Sequence, residues 1–350
     1  MDFEESLHAV QRLIGQKKLN DADATIDQLL QSRPRHVEAL FTKAVIERLL
    51  NRPEDAQHTI AALHAIDPQH GRAFQEKGHH KMTKKELQPA IEAYESAVAR
   101  DPALILSWKA LIGLHAMDNN SVGAETAKAH VERLQVLPQE LLNISSLINE
   151  ERFNKAEPLC RNFLQQDPHN VEAMRLLAAI GIGMGITDDA EQLLEAALKF
   201  DPGFHLGRFD YVRVLQTRQK FEAAFKHAGY LKEAKPDDLN FQRLYANNCL
   251  NVGRSEEAIQ IYNKVLGADP ENPQILLMCG HAAKTIGRVQ ESIDYYRRCY
   301  TAKPDYGDAF WSLANLKTYT LSDDELAIAQ RSEAASQSSA TDRIHLCFAL

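Results

Sequence analysis

Apolar residues recur at intervals of three and four along most of the chain, the spacing that lines one face of a helix. Residues 171–202 show the unit. Met174, Leu177, Ala178 and Ile182 mark a first helix, Gly183 and Gly185 loosen a turn, and Ala190, Leu194 and Ala197 mark a second helix ending at Asp201-Pro202. The punctuation then repeats. Prolines stand at 34, 68 and 102 and again at 168, 202, 236, 270 and 304, each 34 residues after the last within its group. Twelve residues before each proline is a small residue: Ala22, Ala56, Ala90, Ala156, Ala190, Ala224, Ala258 and Ser292. Ala124 extends the first series, but its proline, Pro138, comes two residues late and the following repeat is two residues short. Proline disfavours helix in the residue before it and suits the first turn of the next helix. Asp67, Asp101, Asp167, Asp201 and Asp269, each followed by proline, therefore each close one helix.

The small residues have a packing reason, because two helices approach closely only where side chains are short. Ala44, Gly78, Ala178, Ala246, Gly280 and Ala314, at the eighth position of the repeat, answer the small residue at the twentieth, while Tyr94, Tyr262 and Tyr296 fill space toward the next repeat. One helix pair cannot bury its apolar face, but a stack can. Length, small residues and proline in phase resemble the tetratricopeptide repeat (TPR) family over about residues 3–320. The resemblance implies an all-α fold, a right-handed superhelical solenoid of about nine to ten antiparallel helix pairs. The repeats fall near 3–36, 37–70, 71–104, 105–136, 137–170, 171–204, 205–238, 239–272 and 273–306, with a partial one at 307–320.

Residues 321–350 read as a separate C-terminal helical segment. Ser322 and Glu325 make a capping box, with a helix expected to about Ala335, a polar linker at Ser336–Thr341, and Asp342 as the N-cap of a last helix carrying Ile344, Leu346, Phe348 and Leu350. That helix meets no stop signal, so the segment is expected to be a truncated junction to a missing domain. Residues 310–318 and 342–350 are similar to the junction of bacterial TPR-containing sulfotransferases. That resemblance implies a catalytic domain using 3′-phosphoadenylyl sulfate beyond Leu350, and none of its catalytic positions falls within this chain.

Composition narrows the function. The chain has 350 residues, 44% of them hydrophobic and 7% aromatic, with a net charge of −8. An acidic balance argues against a nucleic-acid partner. No apolar run approaches the roughly 20 residues of a membrane helix. The five cysteines are odd in number and lack a Cys-x-x-Cys pair, which fits a reducing, cytoplasmic setting. Gly181, Gly183 and Gly185 lack the Lys-Ser/Thr of a phosphate loop. His79 and His80, near His64 and His70, point about 100° apart on a helix and so do not aim two ligands at one ion. Cys249, Cys279 and Cys299 fall at packing positions and read as small buried hydrophobes. No enzyme, cofactor or metal site is therefore expected within the chain.

The inner face carries the expected function. In the TPR family the first helix of each pair lines a concave groove. That register implies inward positions at Phe209, Arg213 and Gln216, at Asn240, Arg243, Asn247 and Asn251, at Gln274, His281 and Lys284, and at Trp311 and Asn315. Carboxamides pair with both the N–H and C=O of an extended peptide, Arg adds a carboxylate contact, and Phe209 and Trp311 supply anchors. Arg243 and Asn247 resemble part of the carboxylate clamp of chaperone-binding TPR domains, although Leu277 and Met278 depart from it. The earlier repeats give an apolar inner set, Phe41, Val45, Leu49, Leu106, Met117 and Leu141, which implies either a self-packed groove or an apolar docking surface. The expected function is a scaffold that binds a protein or extended peptide, with self-association through exposed terminal helices. The alternative is the targeting or substrate-recruiting domain of a sulfotransferase.

Overall fold

In the computed structural model, residues 3–335 and 338–350 are described, and among them all regular structure is helical. The chain divides into two compact units, 1–186 and 187–350. The first holds α1 (Phe3–Gly15), α2 (Leu19–Ser32), α3 (Val37–Leu49), α4 (Pro53–Ile66), α5 (Gly71–Thr83), α6 (Leu87–Arg100), α7 (Ile105–Met117), α8 (Ser121–Leu134), α9 (Gln139–Asn149), α10 (Phe153–Gln166) and α11 (Val171–Gly183). The second holds α12 (Thr187–Phe200), α13 (His205–Thr217), α14 (Phe221–Ala234), α15 (Leu239–Asn251), α16 (Ser255–Ala268), α17 (Pro273–Thr285), α18 (Val289–Ala302), α19 (Gly307–Ala314), α20 (Asp323–Ala334) and α21 (Ala340–Ala349). Within each unit the helices pack as antiparallel pairs, an all-α helical-repeat fold.

The 34-residue beat is written into the backbone at the turn inside each pair. Lys17, Asn51, Lys85, Asn119, Glu151, Gly185, Gln219, Gly253 and Gly287 all adopt a left-handed conformation, with φ between 54° and 79°. They are 34 residues apart except from Asn119 to Glu151, where the gap is 32. At each of these turns an amide reaches back five residues, as from Lys18 to the Leu13 carbonyl and from Arg254 to the Cys249 carbonyl. This is the hydrogen bond that closes a helix through a left-handed residue. Three of these positions are glycine, and the other six accept a conformation that L-residues enter at a cost.

Eight helix starts among the described residues are capped by side chains. His36, His70, Asn120 and Asn170 accept a first-turn amide in the first unit, and Asp238, Asn272, Ser322 and Ser339 do so in the second. The capping box at Ser322 and Glu325 forms. The last helix is capped one turn earlier than its sequence suggests. The Ser339 hydroxyl takes the Asp342 amide at 3.0 Å, which places Asp342 inside the first turn, where it accepts the Gly307 N–H at 3.1 Å. Ser336 and Gln337, the start of the expected linker, lie outside the described residues.

The small eighth position explains how the pairs close. A Cβ on Gly78 would lie 2.8 Å from the Tyr94 ring, and Gly280 gives way to Tyr296 in the same manner. These rings therefore pack against the first helix of their own repeat, and Tyr94 also reaches Leu111 and Leu114 of the next. At the end of the chain, α21 packs on α19, and Leu346 is buried with Phe310 and Ala329. Glu325 is 4% exposed and accepts from Arg297, Tyr300 and Tyr319. Among the described residues no helix is long and apolar enough to cross a membrane.

Candidate functional site: the inner groove of the second unit

The first helices of three successive pairs, α13, α15 and α17, line one cavity of about 680 Å³. Their inward side chains are set by the helical period, so residues three or four apart share a face. Of the residues expected from sequence to face inward, Phe209, Arg213, Gln216, Asn240, Arg243, Asn247, Asn251 and Gln274 meet in this cavity. Leu244, Leu250, Ile275, Met278 and Tyr306 complete the lining. Tyr306 lies in the turn before α19 and has no periodic signal, while the aliphatic residues are at positions that also serve the core. The lining contains no Asp or Glu, and among the described residues neither Arg213 nor Arg243 forms an ion pair.

His281, Lys284, Trp311 and Asn315 do not join the cavity lining. His281 is half-buried and Lys284 is exposed in the last turn of α17. Trp311 stacks on His345 of α21, with centroids 5.6 Å apart and rings 19° from parallel. Asn315 is the C-cap of α19, because that helix has only eight residues and stops before presenting it on the groove face.

One feature of the groove was missed in the sequence. The residue after the small eighth position is held by the tyrosine fifteen residues later. Tyr262 donates to the Asn247 carboxamide at 2.5 Å, the Tyr296 hydroxyl meets His281 Nδ1 at 2.9 Å, and the Tyr94 hydroxyl meets His79 Nδ1 at 2.7 Å. Each phenol is buried within its own repeat and fixes the orientation of that polar group, although of the three only Asn247 lines the cavity. Burial pushes the phenols up, while burial holds the His281 and His79 imidazoles below their ordinary value. With Nδ1 engaged, the imidazole presents its other nitrogen outward.

The buried thiols take no part in the site. Cys249, Cys279 and Cys299 are fully buried, and burial raises them to about 11, about 12 and about 12. Such thiols are protonated and shielded at neutral pH, which suits packing rather than nucleophilic chemistry.

The inner face of the first unit is different. Leu141 is buried, Phe41 and Val45 are half-buried, and Leu49, Leu106 and Met117 are exposed. The Arg72 guanidinium lies 4.4 Å from the Phe41 ring centroid. Neither expected alternative holds throughout: one edge of this face is covered by the chain itself, and the other leaves apolar residues in solvent.

Comparison with known proteins agrees with the repeat. Residues 147–208 and 246–307 each match a model described as tetratricopeptide repeat. The chain therefore carries tetratricopeptide repeats. Over 204 residues, 56% of this chain, it is 25% identical to Protein FlbA of Caulobacter vibrioides. It spans about a third of that relative's length, 34%. Among solved structures, MamA from AMB-1 is 20% identical with a TM-score of 0.44, over 47% of this chain and 98% of that one. A MamA fragment, 41-end, from Desulfovibrio magneticus RS-1 is 12% identical with a TM-score of 0.43, over 48% and 97%. The sulfotransferase resemblance of residues 310–318 and 342–350 has no counterpart among these matches.

Proposed function

We propose that the chain is a non-catalytic protein-interaction scaffold, and that the second unit holds an extended peptide along α13, α15 and α17. One observation carries this reading: five carboxamides and two guanidiniums converge on one cavity whose lining includes no carboxylate. Carboxamides are matched to the alternating donors and acceptors of a peptide backbone. Guanidiniums are matched to carboxylates, so the favoured ligand is an acidic segment. Phe209, Leu244, Ile275 and Met278 supply the apolar floor on which its side chains rest.

The test is a titration of labelled extended peptides of equal length, one acidic, one neutral and one basic. The acidic peptide binds tightest, and Arg213→Ala with Arg243→Ala weakens it by about 1.5–3 kcal/mol for each guanidinium removed, with helix content unchanged. Equal affinity for acidic and basic peptides would exclude this reading. A second interaction is supported at α21, where Ile344, Phe348 and Leu350 are 55%, 75% and 49% exposed. Self-association through this helix is checked by sedimentation equilibrium, in which Phe348→Glu shifts the mass toward monomer.

A further inference from the structure

The first unit contains a contact that repeat stacking alone does not produce. Its helices follow one another regularly to α8, and there the beat slips. α9 has 11 residues where the other first helices of full repeats have 13. It packs on α10 and α11 rather than stacking chiefly on α8. Its Leu142 meets Ala103 and Leu134. Pro138 precedes it and cannot continue the helix before it. Residues 135–138 thus form an elbow, beyond which the fifth repeat folds back across the N-terminal ends of α3 and α5.

Charged groups fasten that fold-back. Arg72 donates to Glu150 at 2.7 Å and to Glu38 at 2.8 Å, and Arg152 donates to Glu38 at 3.0 Å and to Glu150 at 2.9 Å. Glu38 and Arg72 lie 114 and 78 residues before their partners across the elbow, Arg152 and Glu150. Two further contacts flank them: Asn149 donates to Asp101 at 3.0 Å, and Lys155 meets Glu4 at 3.2 Å across 151 residues. The Glu38 and Glu150 side chains are only 14% and 12% exposed. The four central charges balance, two cations against two anions. Burial raises the Glu38 carboxyl, but Arg72 and Arg152 outweigh it and hold the group below its ordinary value. Both sides of the contact, including Asp67 and His70 on one and Arg152 and Lys155 on the other, line a cavity of about 440 Å³.

We propose that α9 and α10, carrying α11 with them, are a crossbar hinged at 135–138, and that the Glu38–Arg72–Glu150–Arg152 network is the latch that docks it. The docked crossbar bridges one edge of the early inner face, from Glu4 to Asp101. Undocking uncovers that edge around Phe41, whose ring lies under Arg72. Leu142 packs beside the hinge, and the contacts from Asn149 to Lys155 back to Glu4, Glu38, Arg72 and Asp101 are polar. A buried network of this kind is sensitive to a single change, because removing one member leaves its partners charged and desolvated.

The test uses the full chain with spin labels on Gln69→Cys and Asn154→Cys and with Cys347→Ser, since the other four cysteines are buried. The parent shows one short distance between the labels. Arg152→Glu sets a third carboxylate against Glu38 and Glu150, and it lowers the docked-to-undocked ratio by about a hundredfold or more. A long distance then dominates with far-UV helix content retained, while Arg152→Lys keeps the short one. A short distance retained in Arg152→Glu overturns the latch. If Arg152→Glu loses helix content, Glu150→Gln with Arg152→Gln decides instead: it removes both latch charges on the crossbar side and leaves Glu38 and Arg72 paired with each other. A long-distance fraction in that variant supports the latch, and its absence overturns it.

Discussion

At the second position of its repeats the first unit carries Glu38 and Arg72, and the second carries Asn240 and Gln274. These side chains start from the same place on the same kind of helix. In the first unit they are bound within the chain, through Glu150 and Arg152. In the second they face a cavity. The helix pair, the left-handed turn and the small-residue contact are common to both units. The repeat therefore fixes where a side chain points, and the residue placed there decides whether it holds the fold or remains available to a partner.

Removing one guanidinium from each unit puts the most pressure on that contrast. Arg72→Ala leaves Glu38 short of a partner and Glu150 dependent on Arg152, and it should destabilise the first unit by about 3–5 kcal/mol in denaturant unfolding. Arg213→Ala should change stability by less than about 0.5 kcal/mol and show its effect on binding alone. Equal costs at the two sites would abolish the distinction.

The shared core predicts equality where the inner faces predict difference. Gly78→Ala and Gly280→Ala each drive a methyl into a buried tyrosine ring, and each should cost about 1–3 kcal/mol. Thermal unfolding of both variants checks this. A large disparity would mean that the units differ in packing as well as in surface.

Acid should separate the units again. His36 and His70 cap α3 and α5 by accepting the Ala39 and Ala73 amides on Nδ1, an interaction that protonation removes. Burial lowers both groups from the ordinary 6.5. The unfolded chain therefore binds more protons just below pH 6.5, so stability is full above that value and falls as the pH drops through it. The loss is about 1 kcal/mol for each cap. The α15 and α17 caps in the second unit are Asp238 and Asn272, so hydrogen exchange in α3 and α5 should accelerate before that in α15 and α17.

The smallest effect is at the left-handed turns. Gln219→Gly relieves a residue at φ 59° and should stabilise the second unit by up to about 1 kcal/mol in chemical denaturation. Glu151→Gly makes the same relief at φ 54°, but between two latch residues, where added freedom works against docking. The gain there should be smaller or absent.

Much of this was legible in the sequence, because period is a local property. Proline and alanine in phase located the helix pairs, and counting along the first helices found the eight cavity residues from Phe209 to Gln274. The cavity stops short of Trp311, where α19 is brief and His345 of α21 stacks on the indole, and neither fact shows in spacing. The six left-handed residues that are not glycine carry no compositional sign. The latch was hidden for a different reason: it joins residues up to 114 apart, and their meeting depends on an elbow that the sequence shows only as a two-residue slip.

The tyrosine beneath each groove group has a consequence for moving repeats between proteins. Gly78 with Tyr94, Gly280 with Tyr296 and Ala44 with Ile60 trade volume across sixteen residues of a single repeat. The phenol that orients His79, Asn247 or His281 belongs to that same repeat. A repeat cut at its turn-forming prolines and grafted into another array would bring both its packing complement and its aligned groove group with it. Each repeat of 34 residues thus carries the alignment of its own inner-face group, while the cavity of the second unit needs three such repeats side by side.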